Sequence, residues 1–233
     1  MEVKFSFIIP TLNEGKYIED CIKSIKLQSV RNYEIIVVDS DSSDNTKELA
    51  QKMGACVLNE KRKGPAAARN AGAAMAKGSV FIFADADVRF GKNFLKDMEK
   101  ISDFGGCIFH LHAHDANSFG ESLSYEITNY IVRLMIALGK PMTAGSCFAY
   151  RADIFRESGG FDPRFVTNED HELAKRVSKH SRFVFADIHV YTSARRAKKV
   201  GLFHLVKTYA KSTFMFLLNN KPIHDYWETS PER

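Results

Sequence analysis

Two aspartates separated by one residue follow a short apolar run, and their spacing could support metal chemistry. Asp85 and Asp87 come directly after residues 80–84, which read Val-Phe-Ile-Phe-Ala. Side chains two apart on an extended chain point the same way, so both carboxylates would emerge where a buried strand reaches the surface. Carboxylate oxygens are preferred ligands of Mg²⁺ and Mn²⁺. An isolated Asp-x-Asp is also typical of a solvated turn, so the rest of the chain must decide.

Two further polar clusters follow apolar runs earlier in the chain. The clusters are 10–14, Pro-Thr-Leu-Asn-Glu, and 39–44, Asp-Ser-Asp-Ser-Ser-Asp. Asn13, Glu14 and Asp44 have side chains suited to capping the helices that follow, and we favour the cap for Asp44. Asp39 comes several residues before the next helix, which does not suit a cap. Its carboxylate would instead accept hydrogen bonds from a nucleobase or a ribose hydroxyl.

A helix start with an early arginine follows at residues 64–72. Gly64 and Pro65 favour a turn and the first helical position, and Arg69 follows within an alanine-rich segment. A helix N-terminus favours anions and a guanidinium binds phosphate, so the pair suits a diphosphate. The small alanines would allow close packing against a sheet. An ion pair between Arg69 and a surface acid is the simpler alternative.

Apolar runs alternate with helical patterns over the first 84 residues. Strands are predicted at 5–9, 34–38, 55–58 and 79–84, and helices at about 16–28, 46–53 and 64–76. Continuous apolar strands alternating with helices predict an α/β fold with a parallel sheet covered on both faces. Ligands of such sheets bind at the carboxyl ends of the strands, so the three polar clusters should meet at one edge.

The pattern after Asp87 is less regular. Helices are predicted at 93–102, 118–138 and 169–179, strands at 106–112, 147–150 and 183–186, and a final amphipathic helix at 200–218. No linker rich in Pro, Gly or Ser separates the two parts. We therefore expect one domain with a nucleotide-binding half and an acceptor-binding half.

Several motifs in order resemble those of the family 2 glycosyltransferases, which are inverting enzymes with the GT-A fold. The matching segments are 7–14, 36–46, 64–72 with its Arg-Asn-x-Gly, 85–87 and 168–170. They cover about residues 5–180, and their number and order make the resemblance specific. It implies a Rossmann-like, mixed but mainly parallel sheet flanked by helices. It also implies a nucleotide-diphosphate sugar as donor, either a UDP- or a GDP-sugar.

The resemblance implies roles for individual residues. Donor contacts are implied for Pro10, Thr11, Asn13, Glu14, Asp39, Arg69, Asp85, Ala86 and Asp87. Asp87 and Asp85 would hold Mg²⁺ or Mn²⁺ against the diphosphate, with His189 as a further ligand, and the metal would neutralise the leaving group. Ser40 and Asp41 stand where the family commonly has Asp and Gly, which leaves the base of the donor open.

Glu169 and Asp170 stand in the place of the family's acceptor-site acid pair. The resemblance implies that Asp170 is the general base, which deprotonates an acceptor hydroxyl as it attacks the anomeric carbon. A phosphate acceptor would need no base, and Asp170 would then orient it. Acids in a first helical turn also complement the helix dipole, which is the purely structural alternative. Arg195 and Arg196 would hold a phosphate of donor or acceptor.

Three alternating histidines and four scattered cysteines have ordinary interpretations. His110, His112 and His114 share one face of an extended segment, where they could bind metal or acceptor or simply lie half exposed. The cysteines, Cys21, Cys56, Cys107 and Cys147, contain no Cys-x-x-Cys pair. We interpret them as reduced thiols of the core in a cytoplasmic protein. The N-terminus lacks the pattern of a signal peptide, and no apolar run is long enough to span a bilayer.

Positive charge is concentrated near the C-terminus of this 233-residue chain, whose net charge is +5. Residues 188–224 contain seven Lys and Arg side chains and no acid, while apolar residues recur at helical spacing from Val200. Such a helix suits a membrane interface, with a lipid or polyprenyl phosphate as acceptor, or docking on its own domain. Nucleic acid is a poorer partner because no recognition module accompanies the charges. Peripheral attachment would be at the inner face of the cell membrane.

These patterns predict a GT-A domain over residues 1–196 and a basic amphipathic tail over 197–233. Residues 1–88 would bind the nucleotide sugar and 89–196 the acceptor. A dinucleotide-dependent oxidoreductase would need Gly-x-Gly-x-x-Gly after the first strand, where the chain has Pro-Thr-Leu-Asn. A nucleotidyltransferase of related fold would need a glycine-rich, arginine-bearing N-terminal loop. A membrane-binding protein without catalysis would leave the carboxylate clusters unexplained.

Overall fold

A computed structural model of the chain describes residues 3–62, 64–165 and 167–201. The strands are β1 (Phe5–Thr11), β2 (Tyr33–Asp39), β3 (Cys56–Asn59), β4 (Val80–Ala84), β5 (Arg89–Phe90), β6 (Gly106–Ala113), β7 (Cys147–Arg151) and β8 (Phe183–Thr192). The helices are α1 (Ile18–Lys26), α2 (Thr46–Lys52), α3 (Pro65–Met75), α4 (Phe94–Met98), α5 (Phe119–Ala137), α6 (Ala152–Glu157), α7 (Glu169–Val177) and α8 (Arg195–Val200). The strands form one eight-stranded sheet in the order β3-β2-β1-β4-β7-β6-β8-β5.

The first four strands in the chain form the parallel part of the sheet. β1 lies between β2 and β4, and β2 also pairs with β3, all in parallel. Residues such as Ile8, Ile36 and Phe83 are almost fully buried because helices cover both faces of these strands. In this register the ends of β1 and β2 are level, with Thr11 opposite Asp39. The predicted parallel sheet is therefore confirmed.

The second half of the chain extends the sheet with mixed strand directions. β7 is antiparallel to both β4 and β6, whereas β6 runs parallel to β8. The two-residue β5 closes the edge, antiparallel to β8. A shift in register between Phe109 and His110 interrupts the β6–β8 pairing. The result is the mixed, mainly parallel α/β sheet that was predicted.

Each face of the sheet carries its own hydrophobic core. Phe7 and Phe109 point to the face covered by α1 and α4, where they pack with Phe94. Phe83 points to the opposite face, and its ring meets that of Phe161 edge-on at 5.0 Å between centroids. The alternation of neighbouring side chains between two packed faces explains why these strands are apolar throughout.

Helix α3 lies unusually close to the sheet because its inward residues are small. Ala66, Ala68 and Ala73 are buried in the core of that face. A Cβ atom on Gly72 would lie 2.4 Å from Cγ2 of Ile8 and 3.0 Å from Cγ2 of Val38. The expected close packing of the alanine-rich helix is confirmed, and it places Arg69 directly above the strand ends.

Some elements differ from the sequence predictions. β8 runs to Thr192, six residues beyond its predicted end, and its buried residues there alternate with exposed ones. Because exposed and buried residues alternate there, this part of β8 has no continuous apolar run, and its strand was not predicted. β5 and α6 were not predicted because both are short. The interpretation of all four cysteines as core thiols was wrong for Cys56, which is exposed on the edge strand β3.

The predicted amphipathic helix at 200–218 lies outside the described residues, except for its first two. The last described helix, α8, contains the predicted boundary between residues 196 and 197. Within the described ranges, no helix has both the length and the hydrophobicity needed to cross a membrane.

Candidate active site

An open cleft of about 530 Å³ lies at the carboxyl ends of β1 and β4. Loops after all four strands β1 to β4, the start of α3, the segment before β7 and the starts of α7 and α8 contribute to it. The predicted site residues that line it are Pro10, Thr11, Glu14, Arg69, Asp85, Ala86, Glu169, Asp170, Arg195 and Arg196. Residues from both halves of the chain therefore meet at the edge where ligands of such sheets bind.

Asp39 holds the turn after β2. Its side chain is fully buried, and its carboxylate accepts hydrogen bonds from the backbone N–H of Ser42 (2.8 Å), the hydroxyl of Ser42 (2.6 Å) and that of Thr11 (3.0 Å). Lys47 lies 3.3 Å from the same carboxylate. Asp39 is absent from the cleft lining, whereas Ser40 and Asp41 belong to it. Any contact between Asp39 and a nucleobase would first have to break these bonds.

The loops after β1 and β2 are tied together by side-chain hydrogen bonds. Asn13, in a left-handed conformation with φ of 55°, accepts a hydrogen bond from the backbone of Ser43 at 2.9 Å. Asp44 accepts from the backbone N–H groups of Gly15 (2.9 Å) and of Thr46 (3.0 Å), the first residue of α2. The predicted cap is corrected in position: the N-cap of α2 is Asn45, whose side chain makes no cap hydrogen bond, and Asp44 bonds the helix start from one residue earlier. Asn13 holds the loop instead of lining the cleft.

Arg195 connects two carboxylates at the rim of the cleft. Its two terminal nitrogens donate to Glu14 at 2.7 and 2.8 Å, and its Nε lies 2.9 Å from Oδ2 of Asp87. The guanidinium also lies 4.4 Å from the ring centroid of Tyr17. Burial opposes its charge, but Glu14 and Asp87 raise the pKa of Arg195 above its ordinary value. Arg195 is thus held as a fixed cation by a bidentate pair.

Asp87 lies in a strongly negative environment. Burial and the carboxylates of Asp85 and Glu14 raise its pKa to about 6, although Arg195 acts in the opposite direction. Its Oδ1 accepts a hydrogen bond from the hydroxyl of Thr192 at 3.2 Å. Asp85 is more open, with 36% of its side chain exposed. Carboxylates that repel one another in this way favour a bound cation, which fits a divalent metal.

His189 does not join the aspartate pair, and its prediction as a metal ligand is corrected. His189 is exposed on β8. Thr192, which bonds to Asp87, is three residues further along the strand, so its buried side chain points to the opposite face of the sheet. His189 instead stacks on His110 and His112, with its Nδ1 at 2.7 Å from Nε2 of His112. In the described part of the chain, no three His, Cys, Asp or Glu side chains are arranged to hold a metal ion.

Arg69 joins the two halves of the site. It lies 2.5 Å from Glu169 and 3.3 Å from Asp85, and its guanidinium lies over the rings of Phe148 and Phe161. Burial and the nearby Asp170 raise the pKa of Glu169 to about 7, although Arg69 opposes this. Arg69 does form ion pairs with acids, as the simpler alternative had it, but it is not a surface residue. It is 4% exposed and Glu169 is 7% exposed, while Asp85 keeps 36% of its side chain exposed.

Asp170 is held by two groups that orient its carboxylate toward the cleft. The hydroxyl of Thr143 donates to Oδ2 at 2.6 Å, and both the backbone N–H (2.9 Å) and the ring Nδ1 (3.1 Å) of His171 approach Oδ1. Burial opposes ionisation, but His171 and Thr143 hold the pKa of Asp170 well below its ordinary value. Asp170 is therefore a carboxylate at neutral pH.

Several residues of the site were not predicted. Lys61 and Arg62 line the cleft, and their position directly before the Gly64-Pro65 helix start was an available signal. Thr143 and His171 support Asp170 from outside the motifs, and Tyr17 lies under Arg195. For Thr143 and Tyr17 no local pattern points to the site, because only the folded chain brings them there.

Comparison with known proteins identifies the class. The model of glycosyl transferase family 2 matches residues 6–159, and the chain belongs to this family. A Methanococcus voltae relative, dolichyl N-acetyl-alpha-D-glucosaminyl phosphate 3-beta-D-2,3-diacetamido-2,3-dideoxy-beta-D-glucuronosyltransferase, is 29% identical over 225 residues, covering 81% of this chain and 65% of that protein. The chain spans from 19% to 65% of the length of such curated relatives.

Solved structures share the fold. Staphylococcus aureus TarS in complex with UDP superimposes with a TM-score of 0.66 at 24% identity, covering 82% of this chain and 60% of that one. The mannosyltransferase PcManGT from Pyrobaculum calidifontis, in complex with GDP-Man and Mn²⁺, gives 0.67 at 21% identity, covering 91% and 65%. The chain therefore has the GT-A fold, as the sequence motifs indicated.

Proposed function

We propose that this chain is an inverting glycosyltransferase that moves a sugar from a nucleotide-diphosphate sugar to an acceptor with the help of a divalent metal. The observation that carries this proposal is the convergence of Asp85, Arg69, Asp170 and Arg195 around one cleft. Asp87 is not part of the cleft lining but lies directly behind it, 2.9 Å from Arg195. Carboxylates for a metal, cations for a diphosphate and a carboxylate for an acceptor are the groups that such a transfer requires.

The donor diphosphate would lie between the aspartate pair and the basic residues of the cleft. Asp87 and Asp85 would hold Mg²⁺ or Mn²⁺, which supplies charge neutralisation for the departing diphosphate. Arg195 and Arg196, together with Lys61 and Arg62, would contact phosphate oxygens. Structural neighbours were solved with UDP and with GDP-Man and Mn²⁺, which supports a UDP- or GDP-sugar as donor.

Asp170 would take the proton from the acceptor hydroxyl. Its bonds to Thr143 and His171 fix the carboxylate in one orientation at the cleft. Glu169 is less suited to this role because it is committed to Arg69. Attack from the side opposite the diphosphate would invert the configuration at the anomeric carbon. With a phosphate acceptor, Asp170 would orient the acceptor only.

A lipid-linked acceptor is the second part of the proposal. The name of the Methanococcus voltae relative describes a dolichyl phosphate substrate, which is a membrane lipid. The basic, apolar sequence after residue 194 also suits contact with a membrane surface. We place the protein in the cytoplasm, peripheral to the inner face of the cell membrane.

A thermal-shift screen of UDP-, GDP- and dTDP-sugars with and without Mn²⁺ tests the donor and the metal. We expect stabilisation by one of these sugars that Mn²⁺ increases, and loss of the Mn²⁺ effect in Asp87→Asn. Asp97→Asn, an acid on the surface of α4, is the matched control and should behave as the wild type. A folded wild type that binds no nucleotide sugar under any condition would contradict the proposed function.

A further inference from the structure

Helix α5 presents a second apolar face that nothing in the described structure covers. The large exposed side chains along it are Phe119, Leu123, Ile127, Tyr130, Ile131, Leu134 and, at its C-cap, Leu138. Their exposed fractions range from 42% to 81%. We call this set the outer stripe. Contiguous apolar surface of this kind commonly marks an interaction site.

The outer stripe points away from the domain. At 100° per residue its members fall within a sector of about 120°, and no charged residue of α5 lies in that sector. Tyr125, Val132 and Ile136 occupy the opposite side and pack on the two cores. Asn129 fixes that side by exchanging hydrogen bonds with the backbone of Leu111 at 2.9 and 3.0 Å. The outer stripe is therefore the solvent-facing side of α5, whose opposite side already packs on the domain.

The helix itself is well defined at its start. The hydroxyl of Ser118 accepts a hydrogen bond from the backbone N–H of Glu121, and the Glu121 carboxylate accepts one from the N–H of Asn117. Glu126 turns toward the sheet, where it lies 3.1 Å from Nδ1 of His112. Both acids of α5 thus have partners and lie outside the sector of the stripe, although Glu126 borders it with 56% of its side chain exposed. A helix of 19 residues displays the stripe over about 28 Å.

Basic residues lie at both ends of the stripe. At its start, Lys198 of α8 is paired with the carboxylate of Asp115 at 3.4 Å, which balances its charge, and the carbonyl of Ser193 accepts a hydrogen bond from Tyr125. Lys199 follows on the same short helix, and toward the other end Arg133 and Lys140 are exposed. Apolar residues bordered by cations complement a bilayer with anionic headgroups.

We propose that the outer stripe of α5 lies in the interface of an anionic lipid bilayer, with Lys199, Arg133 and Lys140 on the headgroups. This deepens the proposed function and rests on it for the acceptor: α8 also carries Arg195 and Arg196 of the cleft lining, so the cleft would open beside the membrane surface. Binding to lipid does not depend on catalysis, so it can be measured independently of donor binding and sugar transfer.

Vesicle flotation of the full chain tests this contact. The probe is vesicles of phosphatidylcholine mixed with phosphatidylglycerol, compared with phosphatidylcholine alone. We expect the double variant Ile127→Glu and Leu134→Glu to bind the mixed vesicles about tenfold more weakly, since two apolar insertions are lost. The matched control Ser122→Glu with Thr128→Glu adds the same charge to exposed positions of α5 outside the stripe and should bind normally.

Nucleotide-sugar binding, measured by thermal shift on the same variants, separates the two proposals. Lost vesicle binding with intact donor binding supports the membrane contact. Equal vesicle binding by both double variants would overturn it. So would a wild type that does not bind the mixed vesicles, whether because it dimerises through the stripe or because residues 202–218 cover it. Vesicle binding without any donor binding would contradict only the proposed function.

Discussion

Arg195 occupies the position between Glu14 and Asp87 that a bound cation would compete for. Its guanidinium contacts both carboxylates and stacks on Tyr17. With this pairing, Asp87 is buried beside a neutralising charge, which reduces the cost of its desolvation. Arg195 and a divalent metal are thus alternative partners of Asp87. When the donor diphosphate is bound, Arg195 would exchange its carboxylates for phosphate oxygens.

Replacing Arg195 with Gln should therefore tighten Mn²⁺ binding in the absence of nucleotide. We expect about a tenfold lower Kd at pH 8, because a nearby positive charge is removed. Electron paramagnetic resonance of free Mn²⁺ measures this directly. Arg196→Gln, which removes the same charge from the neighbouring position, is the control and should have a smaller effect. Weaker Mn²⁺ binding in Arg195→Gln would mean that Arg195 positions Asp87 for the metal.

His171 couples the proposed base to pH. Burial disfavours its charge, but Asp170 and Glu169 raise the pKa of His171 above its ordinary value. Below the unfolded pKa of about 6.5, His171 is protonated in both the folded and the unfolded state, and the contribution of its pairing with Asp170 to stability is fully present. As pH rises further, the folded state retains a proton that the unfolded state releases. The free energy of unfolding therefore falls until the pH passes the folded pKa.

The variant His171→Gln should lack this contribution to the pH dependence. We expect the wild-type free energy of unfolding to fall from pH 6 to pH 9 relative to the variant, because only the wild type has a group whose pKa is raised by folding at this position. Urea unfolding at intervals across this range measures the difference. His180→Gln is the control, since His180 lies at the surface in the turn after α7. Parallel curves for wild type and His171→Gln would show that the pairing does not stabilise the fold.

At the scale of elements, the contact between α3 and the sheet sets the position of Arg69. The absence of a side chain at Gly72 lets the helix approach Ile8 and Val38. Arg69 belongs to α3 and Glu169 to α7, and both helices pack on this face of the sheet. If α3 alone were pushed outward, Arg69 would therefore move away from Glu169. The small residues of α3 therefore serve the site through geometry.

Gly72→Ala should destabilise the protein although alanine favours helix. The added Cβ would lie 2.4 Å from a methyl carbon of Ile8, and overpacking of this kind costs about 1–3 kcal/mol. Helix propensity returns up to about 1 kcal/mol. Chemical denaturation should show a net loss, while Gly91→Ala, with no atom within 4 Å of its added Cβ, should change little. If Gly72→Ala had the same free energy of unfolding as the wild type, α3 would be able to shift away from Ile8 without losing stability.

At the scale of the whole molecule, the buried pair of Arg69 and Glu169 joins two parts of the chain that are 100 residues apart. Arg69 belongs to α3 of the donor half, and Glu169 begins α7 of the proposed acceptor half. Removing one partner leaves the other buried without its counter-charge, whereas removing both does not. The pair is therefore one of several contacts that align the two halves, along with the pairing of β4 with β7 and the contacts of Arg195 with Glu14 and Asp87.

Arg69→Met should lower the free energy of unfolding by about 3–5 kcal/mol, which is the usual cost of breaking a buried ion pair. The double variant Arg69→Met with Glu169→Met should recover a large part of this loss. Chemical denaturation of the wild type, both single variants and the double variant forms a complete mutant cycle. Additive losses would show that the two charges do not stabilise each other.

Much of the fold could be predicted because its information is local. Apolar runs of the strands, the small residues of α3 and the polar clusters after strands each occupy a few consecutive residues. The half-exposed part of β8 and the short α6 gave weaker patterns and were missed or shortened. The position of His189 was misjudged for the same reason, since its face depends on a strand that was not predicted to extend so far.

The sequence by itself determined the family, the order of strands and helices in the donor half and most of the charged residues that line the cleft. Only the tertiary structure decided which charges meet: Arg69 with Glu169, Arg195 with Glu14 and Asp87, and Thr143 with Asp170. These partners are far apart in the chain, and packing of the sheet and helices alone brings them together. The Asp85 and Asp87 pair was recognisable as a motif, but the cations that pair with them, Arg69 and Arg195, were visible only in the folded chain.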